Sequence, residues 1–462
     1  MLSGTKVVLV LVCLSLPPLA MVSSADGQFQ ASDPGLRRAP SGAGDPLPGL
    51  TASQLAAFQA GQAEFQQAEG LGDGLGPRFN LDSCGGCHAQ PTLGGTSPAK
   101  NPQVIVGTAF GARNVVPSFV TGAGPVREAR FKYKPDGTRD GGVHNLFVIS
   151  DRVDSNGDAR GCEIGQENFV NQSRSDNLIF RIPTPTYGSG LIEQISDQVI
   201  AANNAANADH KAALGISGRP HRLRVASGTT NLNGNDGTIT RFGWKAQNKS
   251  LLLFSGEAYN VEMGISNELF PTERDETLGC QMTSTPNSVT NTDGTTLGGS
   301  LSDIEKFALF MRLLAPPTPS PDSPGGATSI AKGRDLFVNT GCADCHTPTL
   351  RTGSAAVEAL RNQPVNLYSD LLLHHMGPGL ADDIVQGEAG PDEFRTAPLW
   401  GLGQRIFFLH DGRTTDLLAA IDAHRSGPDS RFGASEATRV IDSFDKLSER
   451  QKQDLVNFLR AL

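Results

Sequence analysis

A chain of 462 residues is longer than one ordinary core and has room for two or three domains. Its formal charge of −9, with a pI near 5.5, argues against a nucleic-acid partner and leaves a surface suited to solubility or to a basic electron donor. Gly (53) and Pro (29) are abundant and aromatics are 6%, which predicts long ordered loops and many turns around the helices.

Lys6 precedes the apolar run VVLVLVCLSLPPLA, too short to span a bilayer comfortably, and VSSA follows with small residues suited to cleavage near Ala25. Residues 1–25 read as a secretory signal peptide. This predicts a periplasmic or secreted protein with no stable membrane span once the signal is removed; Cys13 leaves with it. TASQLAAFQAGQAEFQQAEG (51–70) places Leu55, Phe58, Gln62 and Phe65 at helical intervals. SCGGCHAQP (83–91) follows directly. Cys-x-x-Cys-His is the attachment signature of a c-type haem: the thiols of Cys84 and Cys87 add across the vinyl groups and His88 becomes the proximal iron ligand. A zinc site would need ligands converging from distant segments and would leave His88 without a role. A thioredoxin-like disulfide would need a βαβ context that is missing.

DRVDSNGD (151–158) alternates Asp154, Asn156 and Asp158 in the manner of a calcium loop but lacks the Gly and terminal Glu spacing of an EF-hand. A capped turn is the plainer reading, with calcium kept as a candidate ion. The surrounding insertion is rich in Asn, Gly, Thr and Ser, and its alternating runs HNLFVIS and HRLRVASG predict short strands. FRIPTPTYGSG (180–190) comes next, then LSDIEKFALFMRLL, with Ser302 as N-cap and Glu305 completing a capping box. PPTPSPDSPGG (316–326) reads as a linker with too little apolar content to pack.

The same order then recurs. ATSIAKGRDLFVNTG (327–341) is a helix with Ile330, Leu336 and Phe337 on its apolar side, and GCADCHTPT (341–349) brings Cys342, Cys345 and His346. FRTAPLWGLG (394–403) echoes the earlier Phe-Arg turn. LSERQKQDLVNFLRAL repeats the capping box with Ser448 and Gln451 and lays Leu455, Phe458, Leu459 and Leu462 on one face. The expected fold is therefore mainly α with long loops, built as two tandem cytochrome-c-like haem domains over 26–315 and 327–462. The first is enlarged by an insertion containing some short β strands. Two covalently bound haem c groups follow, with His88 and His346 as proximal ligands. Of the seven cysteines, Cys162 and Cys280 remain, an even pair in an oxidising compartment. They predict a disulfide; two buried free thiols are the alternative. For the second iron the distal candidates are His374, His375, Met376, His410 and His424. For the first, the nearest downstream histidine, His144, lies beyond a long loop, so an open or weakly ligated iron is expected.

These residues resemble the bacterial di-haem cytochrome c peroxidase superfamily, and more closely its di-haem oxidoreductase branch, which carries the label thiol oxidoreductase. The resemblance runs over essentially the whole mature chain, through FNLDSCGGCHAQPTLGGTSPA, CEIGQENF, RIPTPTYGSGLIEQI, RFGWKA, GISNELFP, CADCHTPTL, LLLHHMGPGLAD, RTAPLWGLG and FLHDGRT. It implies a six-coordinate C-terminal haem whose distal ligand follows the His-Asp-Gly segment by fourteen residues. That ligand is usually Met or Tyr, and here the position is His424. A His–His pair lowers the potential relative to His–Met.

The resemblance also implies that peroxide reacts at the N-terminal haem with help from a glutamate, for which the Pro-rich turn leading into GSGLIEQI nominates Glu193 as acid/base. A distal His that relatives often carry soon after the first haem motif is missing from AQPTLGGTSPAKNPQ, which suits a permanently open site. Trp244 in RFGWKA takes the place of a tryptophan that passes electrons between the haems in the relatives. The expected activity is that of a di-haem cytochrome c peroxidase-like oxidoreductase. A small redox protein, a cytochrome c or cupredoxin, is the expected electron donor and a small-molecule oxidant the substrate. The alternatives are a di-haem electron carrier with both irons saturated and an oxidoreductase acting on thiols or sulfur compounds.

Overall fold

The helices that build the molecule's two centres are α1 (Ala52–Gln66), α2 (Leu251–Met263), α3 (Asp303–Leu313), α4 (Ala327–Asn339), α5 (Leu417–Asp422) and α6 (Glu449–Ala461). Their coordinates come from a computed structural model that describes Met1 and residues 29–37, 42–224, 236–289 and 301–462. The rest of the expected signal peptide, with Cys13, lies outside the described residues. Among the described residues no helix is long and apolar enough to cross a membrane.

α1 and α3 cross as one pair, α4 and α6 as another, and each pair brackets one Cys-x-x-Cys-His segment. A glycine sits at each crossing. A Cβ at Gly61 would lie 2.4 Å from the Lys306 carbonyl oxygen and 3.0 Å from Phe310 Cβ; at Gly333 it would lie 2.0 Å from the Asp454 carbonyl oxygen and 2.6 Å from Phe458 Cβ. Only a residue without Cβ admits such an approach of two helix backbones. The paired glycines of the repeated turns behave alike, Gly190 closing on the Arg312 carbonyl and Gly403 on the Arg460 carbonyl. Caps set the helix starts. Thr51 and Ser448 form complete capping boxes with Gln54 and Gln451, and Ser302 with Glu305.

Three short strands, β1 (Glu128–Phe131), β2 (Val143–His144) and β3 (Leu178–Arg181), form an antiparallel sheet with β1 in the middle. Glu128 faces Arg181 across the sheet, and the period of two puts Arg130 on the same side as Glu128. A second ribbon pairs β4 (Leu373–His375) with β5 (Glu393–Arg395), His374 opposite Phe394. The expected strands are shorter than the alternating runs. HNLFVIS supplies β2 and the Phe147–Val148 pair with Arg78–Phe79, and HRLRVASG supplies Arg222–Arg224, its remainder lying outside the described residues.

The apolar core divides in two. The larger cluster gathers Phe58, Phe65, Phe79, Phe147, Phe307 and Phe310, and the smaller is built entirely from 330–462 around Ile330, Phe337, Leu455 and Phe458. The division does not follow the linker. Leu350, Leu360, Val365, Leu367, Leu371 and Leu372 of the second repeat join the larger cluster. The linker itself is also anchored, a correction to the expectation that it does not pack. Ser320 N–H donates to the Ala461 carbonyl (2.7 Å) and Arg37 Nη2 to the Thr318 carbonyl (3.0 Å). Its prolines bring no N–H to satisfy, so few partners suffice. Cys162 and Cys280 form a disulfide with a Cα–Cα distance of 4.6 Å, closing a sequence separation of 118.

Candidate functional site

A cavity surrounds each Cys-x-x-Cys-His segment. In the N-terminal segment Ser83 caps a single turn, accepting from Gly86 N–H, so Cys84 and Cys87 face the same side. These cysteines and Cys342 and Cys345 are free thiols, and burial pushes all four upward in pKa. Thiols held protonated in apolar surroundings are poor zinc or redox-exchange ligands. Among the described residues the one close group of metal-binding side chains, Cys345 with Asp370 and His374, is accounted for by hydrogen bonds. His374 Nε2 lies 2.9 Å from Asp370 Oδ2, and Nδ1 lies 2.7 Å from Glu436 Oε2.

The C-terminal cavity, of about 220 Å³, is walled by Phe337, Leu399, Phe407, Leu409, Leu417, Ile421 and other apolar side chains. His346 Nδ1 donates to the Tyr368 carbonyl (3.0 Å), leaving Nε2 toward the cavity. Opposite stands His424, just beyond α5, with Nδ1 on the Ala420 carbonyl (2.8 Å). The two ring centroids are 6.5 Å apart. Two metal–nitrogen bonds of about 2 Å each, plus the ring radii, fill that gap. Burial and then the neighbouring His424 bring His346 down to about 4, and burial lowers His424 as well, so both imidazoles are neutral, as a metal ligand must be. Arg395 and Arg405 line the same cavity, and among the described residues no carboxylate comes within 4.0 Å of either; burial lowers both to about 10. Arg395 donates to the Gly243 and Thr396 carbonyls and Arg405 to those of Pro398 and Trp400, and two guanidiniums with no ion pair among the described residues would suit the carboxylates of a haem. The donor set fits the group.

The other distal candidates are otherwise engaged. His374 is locked between its two carboxylates, and His375 is half exposed beside Asp392. His410 stacks on Phe394 with centroids 4.4 Å apart, and Met376 lies in the wall.

The N-terminal cavity, of about 360 Å³, is more polar. Cys84, Cys87 and His88 occupy one side, with His88 Nδ1 on the Gly95 carbonyl (2.9 Å). No other histidine lines it among the described residues; His144 instead stacks on Phe131 and pairs with Asp140 and Glu167. The walls carry Glu128 and Arg130 from β1, Arg181 from β3, and Glu257 and Glu262 from α2. Glu128 and Glu262 share these walls, and their mutual repulsion favours a proton on Glu262. Burial, and then the charge of Glu128, drives Glu262 well above the usual carboxylate range. Burial also opposes the charge on Glu128, but the Arg130 ion pair holds it below. Asn80 Nδ2 donates to Glu262 Oε2 at 2.7 Å. The charged residues of EARF and the two carboxylates in the otherwise apolar LLLFSGEAYNVEM were the available sequence signal for this group.

Glu193 is not among these residues, a correction to its expected role. Its Oε1 accepts from Leu251 N–H (2.8 Å) at the start of α2, and Oε2 is 2.6 Å from Arg312 Nε. The turn that should have aimed it at the iron instead folds it back onto α3. Trp244 lines both cavities, with Ile182 and Pro183, and Nε1 donates to the Ile182 carbonyl (2.8 Å). The 151–158 loop has the capped-turn character that was the plainer reading. Asp154 accepts from Leu71 N–H and Arg152, Asn156 accepts from Gly72 N–H, and Asp158 pairs with Arg160, so these oxygens fasten a turn.

No curated protein matches the chain. Among solved structures, hydrazine synthase of Kuenenia stuttgartiensis, pressurised with xenon, is 20% identical over 35% of this chain, with a TM-score of 0.22; this chain covers 55% of that one. A MauG-like protein associated with microbial copper homeostasis is 16% identical over 61% of this chain and 89% of its own, with a TM-score of 0.26. The family model described as "Di-haem oxidoreductase, putative peroxidase" matches residues 128–462, beginning after the first haem motif. The chain belongs to the di-haem oxidoreductase family.

Proposed function

We propose that this protein is a periplasmic or secreted di-haem c-type oxidoreductase of the peroxidase kind, with two tandem cytochrome-c-like modules. Cys84 and Cys87, and Cys342 and Cys345, would hold the haems covalently, with His88 and His346 as proximal ligands and His424 as the distal ligand of the second. When bound, the haems supply iron redox chemistry, one relaying electrons and the other meeting the oxidant. The observation that carries this reading is an asymmetry: His424 faces His346 across the C-terminal cavity, while His88 shares its cavity with the proton-holding pair Glu128 and Glu262.

Cleavage of a peroxide O–O bond requires a proton to move from one oxygen to the other. A carboxyl pair with a proton on Glu262 can release it there and take it back on Glu128. Arg130 keeps Glu128 ionised for that purpose. Trp244, in the wall common to both cavities, supports a role in electron passage. A small redox protein, a cytochrome c or cupredoxin, is the proposed electron donor.

Electron paramagnetic resonance of the oxidised holoprotein tests the reading. One high-spin iron that changes with peroxide or cyanide is expected, beside one low-spin iron that becomes high-spin in His424→Ala. Two low-spin irons indifferent to both reagents would make the protein an electron carrier instead.

A further inference from the structure

Tyr259 lies on α2 in the wall of the N-terminal cavity and is 1% exposed. Its hydroxyl donates to Glu69 Oε1 at 3.1 Å, and Asp303 Oδ2 lies 3.4 Å away. Among the described residues, this is the one of the four tyrosines whose hydroxyl meets a carboxylate: Tyr187 bonds to Thr92, and no carboxylate there is hydrogen-bonded to Tyr133 or Tyr368. Glu69 is itself buried, at 2% exposure, with Gln67 on its second oxygen. A run of ring edges then leads back to the proximal histidine. Tyr259 and Phe307 centroids are 5.1 Å apart, Phe307 and Phe65 6.1 Å, and Phe65 and His88 5.9 Å.

A carboxylate buried against a buried phenol is costly if it serves only to satisfy a hydrogen bond, and the second, Asp303, is partly exposed and paired with Lys306. A buried acceptor of this kind is what a tyrosine needs to lose an electron near neutral pH, because a phenol gives up an electron readily only if its proton leaves as well. We propose that Tyr259 is a redox-active tyrosine that supplies one electron to peroxide reduction at the N-terminal centre, with Glu69 as its proton acceptor. The inference rests on the peroxidase reading above. Hydrogen peroxide takes up two electrons, and two protons drawn from solvent through Glu262, as its O–O bond breaks, leaving as two waters. One electron comes from Tyr259, whose O–H bond breaks with the proton crossing to Glu69. The other comes through the second centre. One electron from the donor protein, with the proton returned by Glu69, restores the phenol. Burial raises Glu69 to about 7, so near neutrality it is available both to accept a proton and to give it back.

The test mixes one-electron-reduced holoprotein, in which the second centre can supply its electron, with hydrogen peroxide, freezes it within milliseconds, and records electron paramagnetic resonance beside the optical bands. Wild type should give a narrow radical signal that loses hyperfine width when the protein is grown on ring-deuterated tyrosine. Tyr259→Phe, which keeps the ring against Phe307, should lose at least tenfold of that signal while its haem bands still respond to peroxide. Glu69→Gln should reduce the yield at least tenfold with the ring in place. Responsive haem bands with no radical, or with a radical that persists in Tyr259→Phe, would overturn the tyrosine assignment alone. Haem bands indifferent to peroxide would remove the peroxidase reading and this inference together.

Discussion

Asp382 shows how a single buried charge is made tolerable. Its Oδ2 lies 2.5 Å from Arg181 Nη2 and its Oδ1 3.1 Å from Lys245 Nζ, with all three side chains nearly inaccessible. Burial alone would raise its pKa, but the two cations outweigh it and bring the carboxyl from 3.8 to about 2. A depressed carboxyl contributes stability that is present above pH 3.8 and is lost as pH falls toward 2, a loss on the order of 2 kcal/mol. Melting temperatures measured between pH 5 and 2 should show that fall, and Asp382→Asn should flatten it. The same variant strands Arg181 and Lys245, at a cost of about 3–5 kcal/mol at pH 7.

The two glutamates separate by the same logic. Glu262→Gln should cut peroxide turnover by about 10²-fold or more with little change in melting. Glu193→Gln should leave turnover intact and cost about 1–2 kcal/mol, because it weakens the Arg312 pair and the N-terminus of α2. The Cys-x-x-Cys-His triplets were legible because their chemistry is written in five consecutive residues. Glu128 and Glu262 were not, since a strand and a helix 134 positions apart bring them together.

At the scale of elements, helices α1, α3, α4 and α6 follow their apolar spacing closely, and α1, α3 and α6 start at capping boxes. The close crossings at Gly61 and Gly333 were not read from the sequence, because a glycine inside a helical pattern says nothing of what lies opposite. Gly333→Ala forces a Cβ to 2.0 Å from the Asp454 carbonyl, where no side chain can yield. It should cost about 1–3 kcal/mol or more, visible in denaturant titration of the holoprotein. Ala at Gly35, where nothing lies within 4 Å of a Cβ but φ is +76°, controls for backbone strain without a clash. Short strands were the least legible elements. β1 was missed because EARF carries two charges among four residues, and those charges face the cavity.

Across the whole molecule, the Cys162–Cys280 disulfide ties the insertion after the first haem motif to the segment following α2. A loop with a sequence separation of 118 is among the longer ones a single bridge closes. Replacing both cysteines by Ala should lower stability by about 4–5 kcal/mol on chain-entropy grounds, measured by denaturant titration under oxidising conditions. Local features were readable directly: the helix starts and the ordered repeat depend on neighbours within a few positions. His424 was singled out by the resemblance, fourteen residues beyond His410, and the helix Leu417–Asp422 lies within that interval. The partition of the core, the anchoring of the Pro-rich segment, the fate of Glu193 and the choice of carboxyls beside His88 emerged only on folding. Each depends on which distant surfaces exclude water together, and a linear order of residues does not encode that separately from the packing.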